Sequence, residues 1–191
     1  MGFTSILSFA HQLVQARVQP GDTVIDATAG NGNDTLFLSR LVAGSGTVYS
    51  VDIQEAALWA TQERLARDFP EFPGVVLIHG SHADLLALVP PQLHGQIAAV
   101  MFNLGYLPGQ DHAVITRTES TIPALEAALK LLRPGGVLTI VVYPGHPGGD
   151  TEAEAVADWA SSLPQKQYQA LKYQFMNQVN KPPYVLAVEV R

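Results

Sequence analysis

Asp26, Gly30, Gly32 and Asp52 are spaced as the residues of a nucleoside-binding site are spaced. Thr23 to Thr35, TVIDATAGNGNDT, reads as an apolar strand ending in Asp26, then a loop with Gly30 and Gly32 that opens a helix. A second strand, in TVYSVDIQ at 47–54, ends in Asp52, twenty positions after Gly32. Glycines let the backbone approach a ligand closely, and a helix N-terminus offers unpaired N–H groups to a carboxylate or phosphate. A carboxylate at the tip of the second strand can accept both hydroxyls of a ribose.

Two departures from the dinucleotide fingerprint narrow the ligand. A diphosphate binder carries G-x-G-x-x-G directly after its strand; here Thr35 takes the third position, and Asp26 stands where a diphosphate would be repelled. A cationic ligand suits that acid. S-adenosylmethionine fits, with its ammonium on Asp26, its carboxylate on N–H groups of the Gly30–Asn33 turn, Asn31 included, and its ribose on Asp52. On these residues the chain resembles the class I S-adenosylmethionine-dependent methyltransferases, whose first motif is such an acid-then-glycine loop.

Ligands of doubly wound sheets sit beyond the carboxyl ends of the strands. At those exits stand Asn31, Asn33 and Asp34, then Ile53 and Gln54 beside Asp52, then Ser81 and His82, with Ser81 equally suited to start a helix. The exit of the fourth strand, Phe102-Asn103-Leu104-Gly105-Tyr106-Leu107-Pro108-Gly109, resembles the Asn/Asp-Pro-Pro-Tyr signature of amine methyltransferases, with Leu104-Gly105 in place of Pro-Pro. That resemblance implies an amine target, its N–H held by the Asn103 amide oxygen and its base stacked on the Tyr106 ring. A neutral amine needs alignment more than a strong base, whereas a protonated alkylamine must first lose its proton. Asp111, His112, Tyr143 and His146 are the candidates to take it. No ligand pair at helical or zinc-ribbon spacing supports a metal site on Asp111, His112 and His146, so none is expected.

The elements that must position these residues alternate as strand and helix, the pattern of βαβ units in a parallel sheet. The expected order is a helix at 4–17, strand 23–27, helix 34–42, strand 47–53, helix 54–68, strand 75–79, short helix 83–88, strand 97–102, helix 120–132, strand 137–143, and a helix capped by Asp150 to about 162. Two strands around a Lys181-Pro182-Pro183 turn would close the chain. This is a Rossmann-like α/β fold: a seven-stranded, mostly parallel sheet with a C-terminal antiparallel strand and helices on both faces. At 191 residues and 47% hydrophobic content, one methyltransferase domain over 1–191 is expected, an N-terminal helix followed by a core from 22. There is no apolar run of the ~20 residues that span a bilayer and no secretory leader pattern, so a cytoplasmic protein without membrane contact is expected. The chain has no cysteine, which excludes disulfides and transfer through a protein thiol. Its net charge is −6, with the basic residues scattered rather than grouped into a broad nucleic-acid groove.

DATAGNGNDT, DIQ, Ser81-His82, MFNLGYLPG-DH, TRTEST at 116–121, LRPGG and YPGHPGGD together resemble one small stand-alone family, described as "putative rRNA methylases" and associated with methylation of 5-aminomethyluridine, often 2-thiolated, at the tRNA wobble position. The resemblance covers nearly the whole chain. It implies that Asn31, Asn33, Asp52, Ile53, Gln54, Ser81 and His82 bind the donor. Asn103, Tyr106 and His112 would act on the nucleoside, with Leu104, Gly105, Asp111, Arg117, Thr118, Thr121, Tyr143 and His146 around it. The implied partner is the tRNA anticodon loop, and the product is 5-methylaminomethyl(-2-thio)uridine. An acidic chain must then bind a polyanion with few nearby cations, Arg117, Lys130, Arg133, Lys172 and Lys181, and a homodimer would ease this. Methylation of another RNA or of small-molecule amines, or donor binding without catalysis, are the alternative readings.

Overall fold

The computed structural model describes residues 2–105, 116–145 and 148–191. Its strands are β1 (Thr23–Asp26), β2 (Thr47–Asp52), β3 (Val75–His79), β4 (Ile97–Leu104), β5 (Leu132–Val142), β6 (Tyr168–Tyr173) and β7 (Tyr184–Val190). They form one sheet in the order β3-β2-β1-β4-β5-β7-β6. The pairs β3/β2, β2/β1, β1/β4 and β4/β5 are parallel, and β7 runs antiparallel to both β5 and β6.

Alternation along the strands sends side chains into two cores, as the pleat requires. Ile25, Val100, Phe102, Leu138 and Ile140 pack with Leu125 and Ala128 of α5 (Thr118–Leu131) and Val156 of α6 (Gly149–Ser162). Val24, Val48, Ala99 and Met101 face the other way, onto Val14 of α1 (Ile6–Gln15) and Leu38 and Val42 of α2 (Asn33–Val42). Helix α3 (Glu55–Asp68) packs beside α2 on that second face, against β2 and β3, and the one-turn α4 (Leu85–Leu88) packs on α5. Helices thus cover both faces of the sheet. None among the described residues is long and apolar enough to cross a membrane.

Several boundaries differ from the sequence expectation, the Asp150 cap of the sixth helix among them. β5 starts at Leu132, directly after α5, and pairs with Ile97 before its register shifts, so Pro134-Gly135-Gly136 is a bulge inside the strand rather than the stop before it. Gly135 sits there at φ 76°, and a Cβ on Gly136 would come within 2.8 Å of the Arg133 carbonyl. Helix α5 starts two residues early, at Thr118, which puts Pro123 past its first turn. The bond its missing N–H forgoes is the one to the Glu119 carbonyl, on an exposed residue where water can substitute. The last two strands are joined by ten residues, 174–183, not by a tight turn at Lys181-Pro182-Pro183. Helix α6 is preceded by Gly148 at φ 81°; Asp150 lies in its first turn and pairs with Lys181.

Candidate active site

The strand order reverses between β1 and β4, so the loops after those strands diverge and leave a crevice beyond their carboxyl ends. A cavity of about 740 Å³ lies there. Its floor is the β1–α2 loop, with Gly30, Asn31 and Asn33 in the wall. Gly30 and Gly32 have φ of 53° and 74°, and a Cβ on Gly32 would lie 2.8 Å from the Cα of Thr61. That position accepts only glycine, because α3 presses on the loop from behind. Arg64 of α3 donates from Nε to the Asn31 carbonyl (2.5 Å), and Thr61 donates its hydroxyl to the Gly30 carbonyl (3.3 Å). Neither Thr61 nor Arg64 is marked by a sequence pattern; they are found only once α3 is docked.

Asp52 ends β2 at the edge of the cavity, and backbone amides orient its carboxylate. Gly30 N–H donates to Oδ2 (3.0 Å) and Gln54 N–H to Oδ1 (2.9 Å), which leaves each oxygen a lone pair. Gly30 N–H is thereby engaged, and Gly32 N–H donates to the Ala29 carbonyl (2.8 Å). Among the described residues, the N–H groups of Asn31 and Asn33 have no such acceptor, so at this turn they, and not the glycines, are the open donors. Gly32 itself does not line the cavity. Ile53, Gln54, Ser81 and His82 do. Ser81 accepts the Ala83 N–H in starting its turn (3.2 Å). Burial holds the His82 ring below the usual histidine range, so it is neutral at neutral pH. Its Nε2 is buried with no partner among the described residues.

Asp26 departs from its expected role. It is fully buried beneath the loop, outside the cavity wall, and accepts from the Thr35 hydroxyl (2.6 Å) and the Thr28 N–H (3.2 Å). Burial, and after it the charge of Asp34, push its carboxyl up to about 7. The strand's last residue points into the sheet–helix interface, so the acid that faces the cavity is Asp34, in the first turn of α2. Asp34 Oδ1 lies 2.6 Å from Nε2 of His11, and Oδ2 accepts from Nδ2 of Asn103.

Asn103, Leu104 and Gly105 line the wall at the exit of β4. The Asn103 N–H donates to the Thr28 hydroxyl (2.7 Å), which ties the β4 exit to the β1–α2 loop. Tyr143, beyond β5, completes that side; burial and then Asp34 raise its hydroxyl above the usual tyrosine range, so it stays protonated at neutral pH. Of the 116–121 segment, Thr116, Arg117 and Ser120 line the cavity. Thr118 and Thr121 do not: Thr121 is fully buried and donates to Glu152 of α6 (2.6 Å), since it lies about 100° round the helix from the wall residue Ser120, while Arg117 precedes the helix in extended conformation. Tyr106, Asp111, His112 and His146 lie outside the described residues. Leu7 of α1 and Lys181 and Pro183 of the β6–β7 connection also reach the wall. Sequence separation hides them from any motif.

Strand order, switch-point crevice and glycine loop define the Rossmann-like fold of class I methyltransferases. The model of the family described as "Putative rRNA methylase" matches residues 48–189, and the chain belongs to that family. It is 40% identical over 183 residues to a chloroplastic tRNA (mnm(5)s(2)U34)-methyltransferase of Arabidopsis thaliana, which covers 92% of this chain and 66% of the relative. The chain spans just under two thirds of that relative's length and about half, 52%, of that of the ubiquinone/menaquinone biosynthesis C-methyltransferase UbiE of Legionella pneumophila, to which it is 28% identical. Among solved structures, a "putative rRNA-methylase" from Clostridium thermocellum superposes with TM-score 0.94 at 39% identity, over 100% of both chains. A "putative methyltransferase" from Streptococcus mutans, in complex with SAH, gives 0.88 at 35% identity, again over 100% of both chains.

Proposed function

We propose that this chain methylates the primary amine of 5-aminomethyluridine, 2-thiolated or not, at the tRNA wobble position, with S-adenosylmethionine as donor and 5-methylaminomethyl(-2-thio)uridine as product. The observation that carries the reading is the pairing of Asn103 with Asp34 in the wall of the cavity that holds the glycine loop. A carboxylate only accepts, so Asn103 must turn its NH₂ to Asp34 and keep its amide oxygen as the free acceptor end, which suits an amine N–H. The name of the Arabidopsis relative supports the choice of substrate.

The residues present fit the donor. Asp52, oriented by two amides, suits ribose hydroxyls; Asn31 and Asn33 N–H groups suit a carboxylate; and Ser81 and His82 line the wall where the adenine would lie. Asp34 stands at the helix N-terminus where a pyrophosphate would lie, which disfavours a dinucleotide. The donor supplies an electrophilic methyl group on a sulfonium. Once the substrate ammonium has given a proton to water, Asn103 aligns the neutral amine, whose lone pair forms the new N–C bond as the C–S bond breaks and its electron pair stays on sulfur. Positive charge thereby moves onto the nitrogen, where the Asp34 carboxylate stabilises it, and a proton is then lost to solvent. Tyr143, protonated, is a donor in that wall and not the base. Arg117 supplies positive charge at the wall for the nucleotide phosphates.

The acidic chain meets a polyanion more readily as a homodimer, and a cytoplasmic setting, where tRNA is found, suits this reading. Purified protein incubated with labelled S-adenosylmethionine and tRNA carrying 5-aminomethyluridine, followed by digestion and mass spectrometry, tests the reading. Label in 5-methylaminomethyluridine is expected. Label only in rRNA, or in free amines without dependence on tRNA, overturns the substrate.

A further inference from the structure

His11 lies on α1, twenty-three positions before Asp34 in a segment that carries no donor motif, yet its Nε2 contacts Asp34 at 2.6 Å. Its ring lies flat on Phe37 of α2, with centroids 3.8 Å apart and 4° between planes. Asp34 bridges it to Asn103, so α1, α2 and the exit of β4 meet in one chain of three polar side chains. The carboxylate is nearly buried, at 9% side-chain exposure, and both of its oxygens are taken up by these partners. An amide without such an anchor could present either end to the cavity; one anchored through its NH₂ presents only oxygen. The hold of α1 on the sheet comes from other residues, the buried Ile6, Ala10 and Val14.

Resting on the reading above, we propose that His11 is a positioning residue for methyl transfer. Acting through Asp34, it keeps the Asn103 amide oxygen turned toward the reacting amine and the Asp34 carboxylate beside the nitrogen that becomes positive. A double-mutant cycle tests this: wild type, His11→Ala, Asn103→Ala and the double variant, assayed on tRNA with 5-aminomethyluridine, with SAH affinity measured by calorimetry. His11→Ala should lower kcat by about 10- to 100-fold, the scale of a small misplacement of a reacting group, with KM and SAH affinity within about twofold. In the Asn103→Ala background the same change should cost less than about twofold more, because its effect passes through Asn103. His11→Gln, which can still donate to Asp34, should recover most of the rate. Full kcat in His11→Ala, loss of SAH affinity, or an equal further loss in the Asn103→Ala background would each overturn the proposal. If the wild-type chain binds SAH but methylates no such tRNA, the substrate reading fails instead. The relay is then judged on the Asn103 side-chain amide resonances, which should shift in His11→Ala and return in His11→Gln; unmoved resonances sink it.

Discussion

Two aspartates eight positions apart divide the work that the sequence pattern assigns to one. Asp34 faces the cavity, while Asp26 is sealed beneath it with Thr35 and Thr28. The raised carboxyl of Asp26 has a thermodynamic consequence. Between its unfolded value near 3.8 and its folded value of about 7, the native state holds a proton that the unfolded chain has lost, so stability falls as pH rises through that window and levels off above it. Asp26→Asn should remove this slope: urea unfolding at pH 4 and pH 8 should show the wild type losing up to about 4 kcal/mol relative to the variant. Equal slopes in the two proteins would place the Asp26 carboxyl in the ordinary range. Asp52 carries the other residue-scale prediction. Asp52→Ala removes both the amide-oriented carboxylate and its hold on the loop, and should weaken SAH binding about 10- to 100-fold by calorimetry, as loss of charge-assisted hydrogen bonds does.

At the scale of elements, the cavity depends on contacts made behind it. Helix α3 backs the glycine loop through Thr61 and Arg64, and α6 backs the start of α5 through Glu152, which is 2% exposed and accepts from the hydroxyls of Thr116 (2.8 Å) and Thr121 (2.6 Å). Those two bonds fix the turn that brings Thr116, Arg117 and Ser120 to the wall. Glu152→Ala leaves both hydroxyls without their acceptor and should cost about 2–4 kcal/mol in urea unfolding. SAH affinity should change little, because no donor-side residue touches Glu152. A variant of native stability would show that the segment is held by something else.

For the whole molecule, charge is the constraint. Of the cations expected to meet RNA, Arg133 is committed to Asp22 through two bonds (2.7 and 2.8 Å), Lys181 pairs with Asp150, and Lys172 lies 4.2 Å from the centre of the Tyr184 ring. Arg17 is likewise taken by Glu189. With so much positive charge spent internally on a chain of net charge −6, two copies sharing one tRNA would double the available patch. Light scattering should give twice the 20.5 kDa protomer mass. A monomer that binds tRNA with unchanged affinity would dispose of the dimer.

The order of elements was legible because the apolar runs and their glycine and proline boundaries are local signals, set by the pleat and the helix turn. For the same reason the glycine loop, Asp52 and the polar exit at Asn103 could be read as neighbours of one ligand: in a doubly wound sheet, strand ends converge whatever lies between them. Tertiary structure alone decided the rest. Whether Asp26 or Asp34 faces the cavity depends on which way the chain leaves β1. Whether Pro134-Gly135-Gly136 ends a helix or bulges a strand depends on its pairing with β4. His11, Thr61, Arg64 and Glu152 join the site through contacts spanning 23 to 36 positions of sequence, and no local pattern records a contact made only when two helices pack together.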